Sequence, residues 1–258
     1  MEQLFSLEGK HALVTGGAQG LGRMIAEGLL RAGATVAITS RKQDACDAAA
    51  QEMAGLGTCI GLAADLSTPE AATDLARCYG DQFERCDIII NNAGKTWGSP
   101  IETFPDKAWA SVMAVNVQGP FTLVREMLAI LEKSGSDTDP SRIINIGSVA
   151  GVKPEGLSAY SYAASKAAVH MLTRDLASDL APRNITVNAI VPGFFPTRMT
   201  EHLREDTAVD PKILGRIPLG RLGRANDIAA AAVFLCSPGA AYITGILLPV
   251  DGGIVGCG

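Results

Sequence analysis

Seven short runs of β-branched and aliphatic residues recur along the chain: HALVT from His11, TVAITS from Thr35, CIGLAA from Cys59, DIIIN from Asp87, RIINIG from Arg142, ITVNAIV from Ile185 and ILLPV from Ile246. Longer patterns of helical character separate them, at 20–32, 43–54, 69–83, 106–133, 158–180 and 226–235. Strands that alternate with helices build βαβ units, and near-continuous apolar strands are those covered on both faces. The pattern therefore predicts an α/β fold, a doubly wound, seven-stranded parallel sheet with helices on both sides. In such folds ligands gather at the carboxyl ends of the strands, near the switch in strand order.

The 258 residues lie within the reach of one such unit, and no internal repeat or low-complexity linker divides them. A single domain over 1–258 is expected, with SGSDTDPS at 134–141 as a polar loop. The stretch 194–224 mixes proline, charge and aromatic residues and is too long for an ordinary connection, so it is expected to cover the substrate. Hydrophobic residues make up 47% of the chain and charged ones 19%, with a formal net charge of -5, which speaks against disorder and against a nucleic-acid partner. MEQLFSLEGK lacks the basic start and apolar run of a signal peptide, and no stretch approaches the ~18 apolar residues of a membrane helix. A cytoplasmic protein with no membrane partner is expected. Cys46, Cys59, Cys78, Cys86, Cys236 and Cys257 form no CxxC pair, and His11, His170 and His202 have no metal-ligand spacing, so free thiols and no metal are expected.

Directly after the first run comes TGGAQGLG, Thr15 to Gly22, opening into a helical pattern. A strand-to-helix turn that meets a phosphate needs positions without a Cβ, and the helix start adds free N–H groups. Gly16, Gly20 and Gly22 meet that need. The GxxxxGK[ST] loop is excluded because Arg23 and Met24 follow Gly22, and GxGxxG because position 25 is Ile. The spacing is GxxxGxG, and a tight turn without a ligand also fits it. At the end of the second run, Ser40 and Arg41 stand where an acid would select NAD. An arginine there accommodates a 2′-phosphate, so NADPH is expected over NADH, unless Arg41 is only a solvated helix start.

In SAYSYAASKAAVHM, Tyr162 and Lys166 are four apart and share a helix face, which Tyr160 does not. A free phenol titrates near pH ~10, and a neighbouring ammonium lowers that value, so the pair suits proton transfer. The same spacing fits a packed tyrosine beside a solvated lysine. His170 on this helix reads as a packing residue rather than a base. Ser148 lacks the GxSxG frame of a serine hydrolase, since positions 146 and 150 are Ile and Ala.

TGGAQGLG, NNAG at Asn91–Gly94, Asn116 in MAVNVQG, Ser148 in NIGSVAG, YAASK at Tyr162–Lys166 and PGFFPT at Pro192–Thr197 follow in this order over almost the whole chain. Together they resemble the short-chain dehydrogenase/reductase family, and within it the 3-oxoacyl (β-ketoacyl) reductases. The resemblance implies a Rossmann-type domain and NADP(H) as cofactor. By it, Ser148 hydrogen-bonds the substrate carbonyl, Tyr162 gives or takes the proton, Lys166 holds the nicotinamide ribose and lowers the tyrosine pKa, and Asn116 keeps a water relay behind the lysine. Gly16, Gln19, Gly20, Leu21 and Gly22 would form the cofactor turn, with Ser40 and Arg41 beside it. Asp65 and Leu66 would lie near the adenine, Asn92, Ala93 and Gly94 would line the cleft, Pro192 and Gly193 would turn the chain, and Thr197 would meet the carboxamide.

Phe194, Phe195 and Met199 suit either an apolar acyl pocket or the core of a lid. An acidic carrier protein would favour a basic patch near the cleft. Arg174 and Arg183 are instead offset by Asp175 and Asp179, so the acyl carrier stays open. The expected activity is reduction of a carbonyl in a small-molecule or acyl thioester substrate. Oxidation of a secondary alcohol, or a non-catalytic dinucleotide sensor, are the alternatives. The resemblance, with TGILLPVDGG near the end, also implies a homotetramer or homodimer.

Overall fold

The computed structural model describes residues 2–197, 204–205, 208–209 and 211–257. Its strands are β1 (His11–Val14), β2 (Thr35–Ser40), β3 (Cys59–Ala63), β4 (Ile88–Asn91), β5 (Ser141–Ile146), β6 (Ile185–Pro192), a small hairpin of β7 (Arg204–Glu205) with β8 (Ala208–Val209), and β9 (Leu247–Val250). Seven of them form one sheet in the order β3-β2-β1-β4-β5-β6-β9. Every neighbouring pair in it is parallel, as the alternation predicts. The helices are α1 (Glu2–Phe5), α2 (Gly20–Arg31), α3 (Gln43–Met53), α4 (Pro69–Gly80), α5 (Asp106–Met113), α6 (Gly119–Ser134), α7 (Tyr160–Leu180), α8 (Pro211–Leu214) and α9 (Ala225–Cys236). Among the described residues, no helix is long and apolar enough to cross a membrane.

Side chains alternate across a strand, so each strand feeds two cores. Ala12, Val14, Ile38, Ile88 and Ile90 join Ile25 and Leu29 of α2, Met53 of α3 and Ile228 of α9 in one core. Leu13, Ala37, Ile89 and Ile143 join Leu75 of α4, Leu123 and Met127 of α6 and Leu180 of α7 in the other. The sheet is thereby apolar on both faces. On the first face α2 and α9 nearly touch backbones, since a Cβ on Gly28 would lie 2.7 Å from that of Ala229.

The pattern over 106–133 predicts one long helix, and here the structure differs. A π-helical turn, Ala114–Gln118, separates α5 from α6. Pro120 explains it: a proline inside a helix lacks the N–H for the carbonyl four residues earlier, that of Asn116, and its ring collides with it. Widening the preceding turn relieves the collision, and such turns are frequent at functional sites. Gly119 follows, pressed to the loop after β3 so closely that a Cβ would lie 2.6 Å from the Leu66 carbonyl oxygen.

Candidate active site

The strand order reverses between β1 and β4, and a cavity of about 880 Å³ opens at the carboxyl ends beside this switch. Gly16, Gln19, Gly20 and Leu21 line it from the glycine turn, Asn92, Ala93 and Gly94 from the loop after β4, Ser148 from the loop after β5, and Tyr162 and Lys166 from α7. Pro192, Gly193, Phe194, Phe195 and Thr197 line it from the end of β6 and beyond.

Gly16 and Gly20 have φ of +65° and +58°, the left-handed region that glycine tolerates. A Cβ on Gly22 would overlap both Asn92 Nδ2 and the Gly16 carbonyl oxygen. Gln19 occupies the N-cap of α2 without a side-chain hydrogen bond to it, which leaves the first N–H groups of the helix facing the turn. This cradle suits an anion such as a phosphate. Two residues that the sequence reading missed hold it in place. The Thr15 hydroxyl accepts the Asn92 and Ala93 N–H groups at 2.9 and 3.0 Å, and Asn92 Nδ2 donates back to the Thr15 carbonyl at 2.8 Å. The Gly16 N–H donates to the Thr39 hydroxyl at 3.2 Å.

Tyr162 and Lys166 share the face of α7 that meets the cavity. The Tyr162 and Ser148 side chains both line the cavity, close enough for the Ser148 hydroxyl to act on the phenol. Lys166 is 5% exposed; its Nζ donates to the Ile146 carbonyl at 2.6 Å and lies 5.6 Å from the Tyr162 ring centroid. Burial brings its pKa down to about 8. For Tyr162 the expected direction needs correction. Burial raises the phenol above its ordinary value, with the Ser148 hydroxyl pulling the other way. Spacing reports that a lysine is near but not how much water the site removes, and desolvation wins here.

Asn116, in the π-helical turn, is 2% exposed and does not line the cavity. Its Oδ1 accepts the Lys95 N–H at 2.7 Å, and its Nδ2 donates to the Lys95 carbonyl and the Ser165 hydroxyl, both at 2.9 Å. Both amide protons thus meet protein groups, and the side chain ties the loop after β4 to the residue next to Lys166. A buried ladder missed in the sequence orients α7 as well: Asn91 donates to Asn145, Asn145 to Thr173, each at 2.9 Å, and Thr173 to the Val169 carbonyl at 2.8 Å. A lone polar residue inside DIIIN and RIINIG was its only sequence signal.

The other predicted positions lie around the rim. Gly22, Ser40, Arg41, Asp65 and Leu66 do not line the cavity. Ser40 ends β2, next to the Thr39 that holds Gly16, and Arg41 beyond it is exposed. Asp65 is exposed and accepts the Ser67 N–H at 3.2 Å, while Leu66 is packed in the core. Tyr160 is a wall residue, its ring edge-on to Phe104 at 5.3 Å. Phe194 and Phe195 each line the cavity and are buried. Phe194 packs with Val149, Ile213 and Ile217, and Arg216 ties this segment down by bonding the Glu155 carbonyl at 2.9 Å and its carboxylate at 3.2 Å. Met199 lies outside the described residues.

His170 is buried, and its pKa falls to about 4 through burial first and then the charges of Lys166 and Arg174. A free imidazole titrates at 6.5, so on acidification the unfolded chain takes the proton before the folded one does. This contribution to stability is complete above pH 6.5 and is lost as the pH falls toward 4, by about 3 kcal/mol at most. Urea midpoints should therefore drop from pH 7 to pH 5, and by less in His170→Gln; equal slopes for the two proteins would contradict the assignment.

A family model described as Enoyl-(Acyl carrier protein) reductase matches residues 16–255. The chain belongs to the short-chain dehydrogenase/reductase family. Among members of that family, it is 45% identical to the rhamnolipids biosynthesis 3-oxoacyl-[acyl-carrier-protein] reductase of Pseudomonas aeruginosa, over 98% of this chain and 99% of that one. It is 39% identical to the galactitol 2-dehydrogenase (L-tagatose-forming) of Cereibacter sphaeroides, over 97% and 96%. The solved RhlG/NADP active-site complex of Pseudomonas aeruginosa superposes with a TM-score of 0.94 at 45% identity, covering 99% of this chain and all of that one. The short-chain dehydrogenase/reductase assignment makes the protein an oxidoreductase.

Proposed function

We propose that the protein reduces the ketone of a 3-oxoacyl thioester to a hydroxyl with NADPH, Tyr162 donating the proton. The observation that carries this reading is that Tyr162 and Ser148 line the same cavity wall, beside a buried Lys166 and across from the glycine cradle. Gly16, Gln19, Gly20 and the start of α2 fit the pyrophosphate, and Asn92 to Gly94, Lys166, Pro192, Gly193 and Thr197 border the space toward the reacting end. NADPH supplies the hydride when bound. A carbonyl oxygen between Ser148 and Tyr162 gains negative charge as its carbon is reduced, and two aimed hydroxyls stabilise that charge. Tyr162 then gives its proton to this oxygen. The raised phenol pKa keeps Tyr162 protonated until then, and the ammonium of Lys166 stabilises the phenolate left behind. Phe194, Phe195, Val149 and Leu157 offer an apolar wall to the acyl chain.

A second reading is favoured by the galactitol 2-dehydrogenase relative, in which the same residues would serve oxidation of a secondary alcohol. A screen of 3-oxoacyl thioesters of several lengths against simple ketones and polyols, followed by NADPH absorbance, decides. The highest kcat/KM is expected on a thioester; a polyol preference would reject the proposal. NADPH should exceed NADH in kcat/KM, and Arg41→Ala should narrow that preference about tenfold, the value of one charge-assisted hydrogen bond. An unchanged ratio would remove Arg41 from cofactor selection. Exposed Trp109, Phe121 and Met171 on α5, α6 and α7 suit contact with further copies, in keeping with a homodimer or homotetramer.

A further inference from the structure

Tyr162, Lys166 and His170 recur every four residues along one face of α7, which faces the end of β5 and the loop after it. Tyr162 lines the cavity beside Ser148, and Lys166 donates to the Ile146 carbonyl. His170 Nε2 accepts the Ser148 N–H at 3.4 Å, and the ring packs against Gly151. The imidazole fills space that two glycines leave. A Cβ on Gly147 would overlap Nε2, and one on Gly151 would lie 2.8 Å from Cε1.

We infer that His170 is a positioning residue that fixes the backbone at Ser148 and so aims its hydroxyl into the cavity. The inference rests on the reading of Ser148 as the hydroxyl that binds the substrate carbonyl. Residue 148 is held at two points. Its hydroxyl oxygen accepts the Ala150 N–H at 3.2 Å and caps the short turn Val149–Gly151, while its own N–H is held by His170. An apolar side chain of similar size would fill the space and leave that N–H without an acceptor. The imidazole is suited because its Nε2 offers an acceptor to the Ser148 N–H. This requires the neutral ring with its proton on Nδ1. Catalysis is sensitive to aim, since a displacement of ~1 Å can cost about a hundredfold in rate.

The test is a double-mutant cycle between positions 170 and 148, read on the full-length enzyme with the substrate found in the screen. His170→Leu is expected to lower kcat ten- to a hundredfold with KM for NADPH changed less than twofold. His170→Gln, whose amide oxygen can accept the same N–H, should recover most of the loss. In a Ser148→Ala background, His170→Leu should cost less than twofold, because the hydroxyl it aims is gone. An equal cost in both backgrounds, or none in the parent, overturns the inference. Full activity of Ser148→Ala would instead fell the reading of Ser148, and the inference with it. Nitrogen NMR of the histidine-labelled parent enzyme needs no variant to fold. One of the three histidines should be neutral at pH 7 with its proton on Nδ1; a charged ring or a proton on Nε2 at His170 overturns the inference.

Discussion

Tyr162→Phe is expected to lower kcat/KM about a thousandfold while NADPH affinity stays within a few-fold of the parent. The ring remains, so the packing on α7 and the face toward Lys166, 5.6 Å from the centroid, are kept. What is lost is the phenolic hydroxyl at the cavity wall that can give up a proton, and positioned general acids contribute roughly 10²- to 10⁴-fold. Steady-state rates together with titration of NADPH fluorescence separate the two effects. A variant keeping more than about a tenth of the activity would remove Tyr162 as the acid. Tyr160→Phe is the control: its side chain is exposed and its ring, kept in the variant, meets Phe104 edge-on, so near-parental turnover is expected.

Gly22→Ala should damage the nucleotide cradle more than its size suggests. The added methyl would overlap the Gly16 carbonyl, which cannot rotate away, and the Asn92 amide, which is already bonded to the Thr15 and Gly16 carbonyls at 2.8 and 3.2 Å. The turn itself has to shift. Overpacking of this kind costs about 1–3 kcal/mol, and at 258 residues that is a fall in Tm on the order of 2–10 °C. NADPH affinity should weaken ten- to a hundredfold, because the displaced groups are those that would face the phosphates. Gly80→Ala, where nothing lies within 4 Å of the new Cβ, should leave Tm unchanged or slightly raised. Parental Tm and NADPH affinity for Gly22→Ala would show that the turn gives way freely and is no cradle.

The fold was legible because its signal is local. Ile88, Ile89 and Ile90 alternate between two cores, and such runs can be counted without knowing their partners. The Tyr162–Lys166 pair was legible for the same reason, as helical spacing alone puts the two on one face. Thr15, Thr39, Asn91 and Asn145 were not, because each is a polar residue within or at the end of an apolar run. Its partner is chosen by the packing of distant strands, as when Thr15 meets Asn92 across 77 positions. Asn116 was placed on a regular helix because Pro120 reads as a mild irregularity, whereas it forces a wider turn. His170 reads as packing by composition; the Ser148 N–H that meets it comes from 22 positions away.

The Thr15 hydroxyl, held to the first two residues past β4, sets an order on how the protein comes into being. During synthesis the glycine turn emerges early but has nothing to lean on until Asn92 and Ala93 have left the ribosome and β4 has docked beside β1. A fragment ending before residue 88 would hold every glycine of that turn and still lack the peptide N–H groups that brace it, so the first βαβ units do not make a portable nucleotide-binding module.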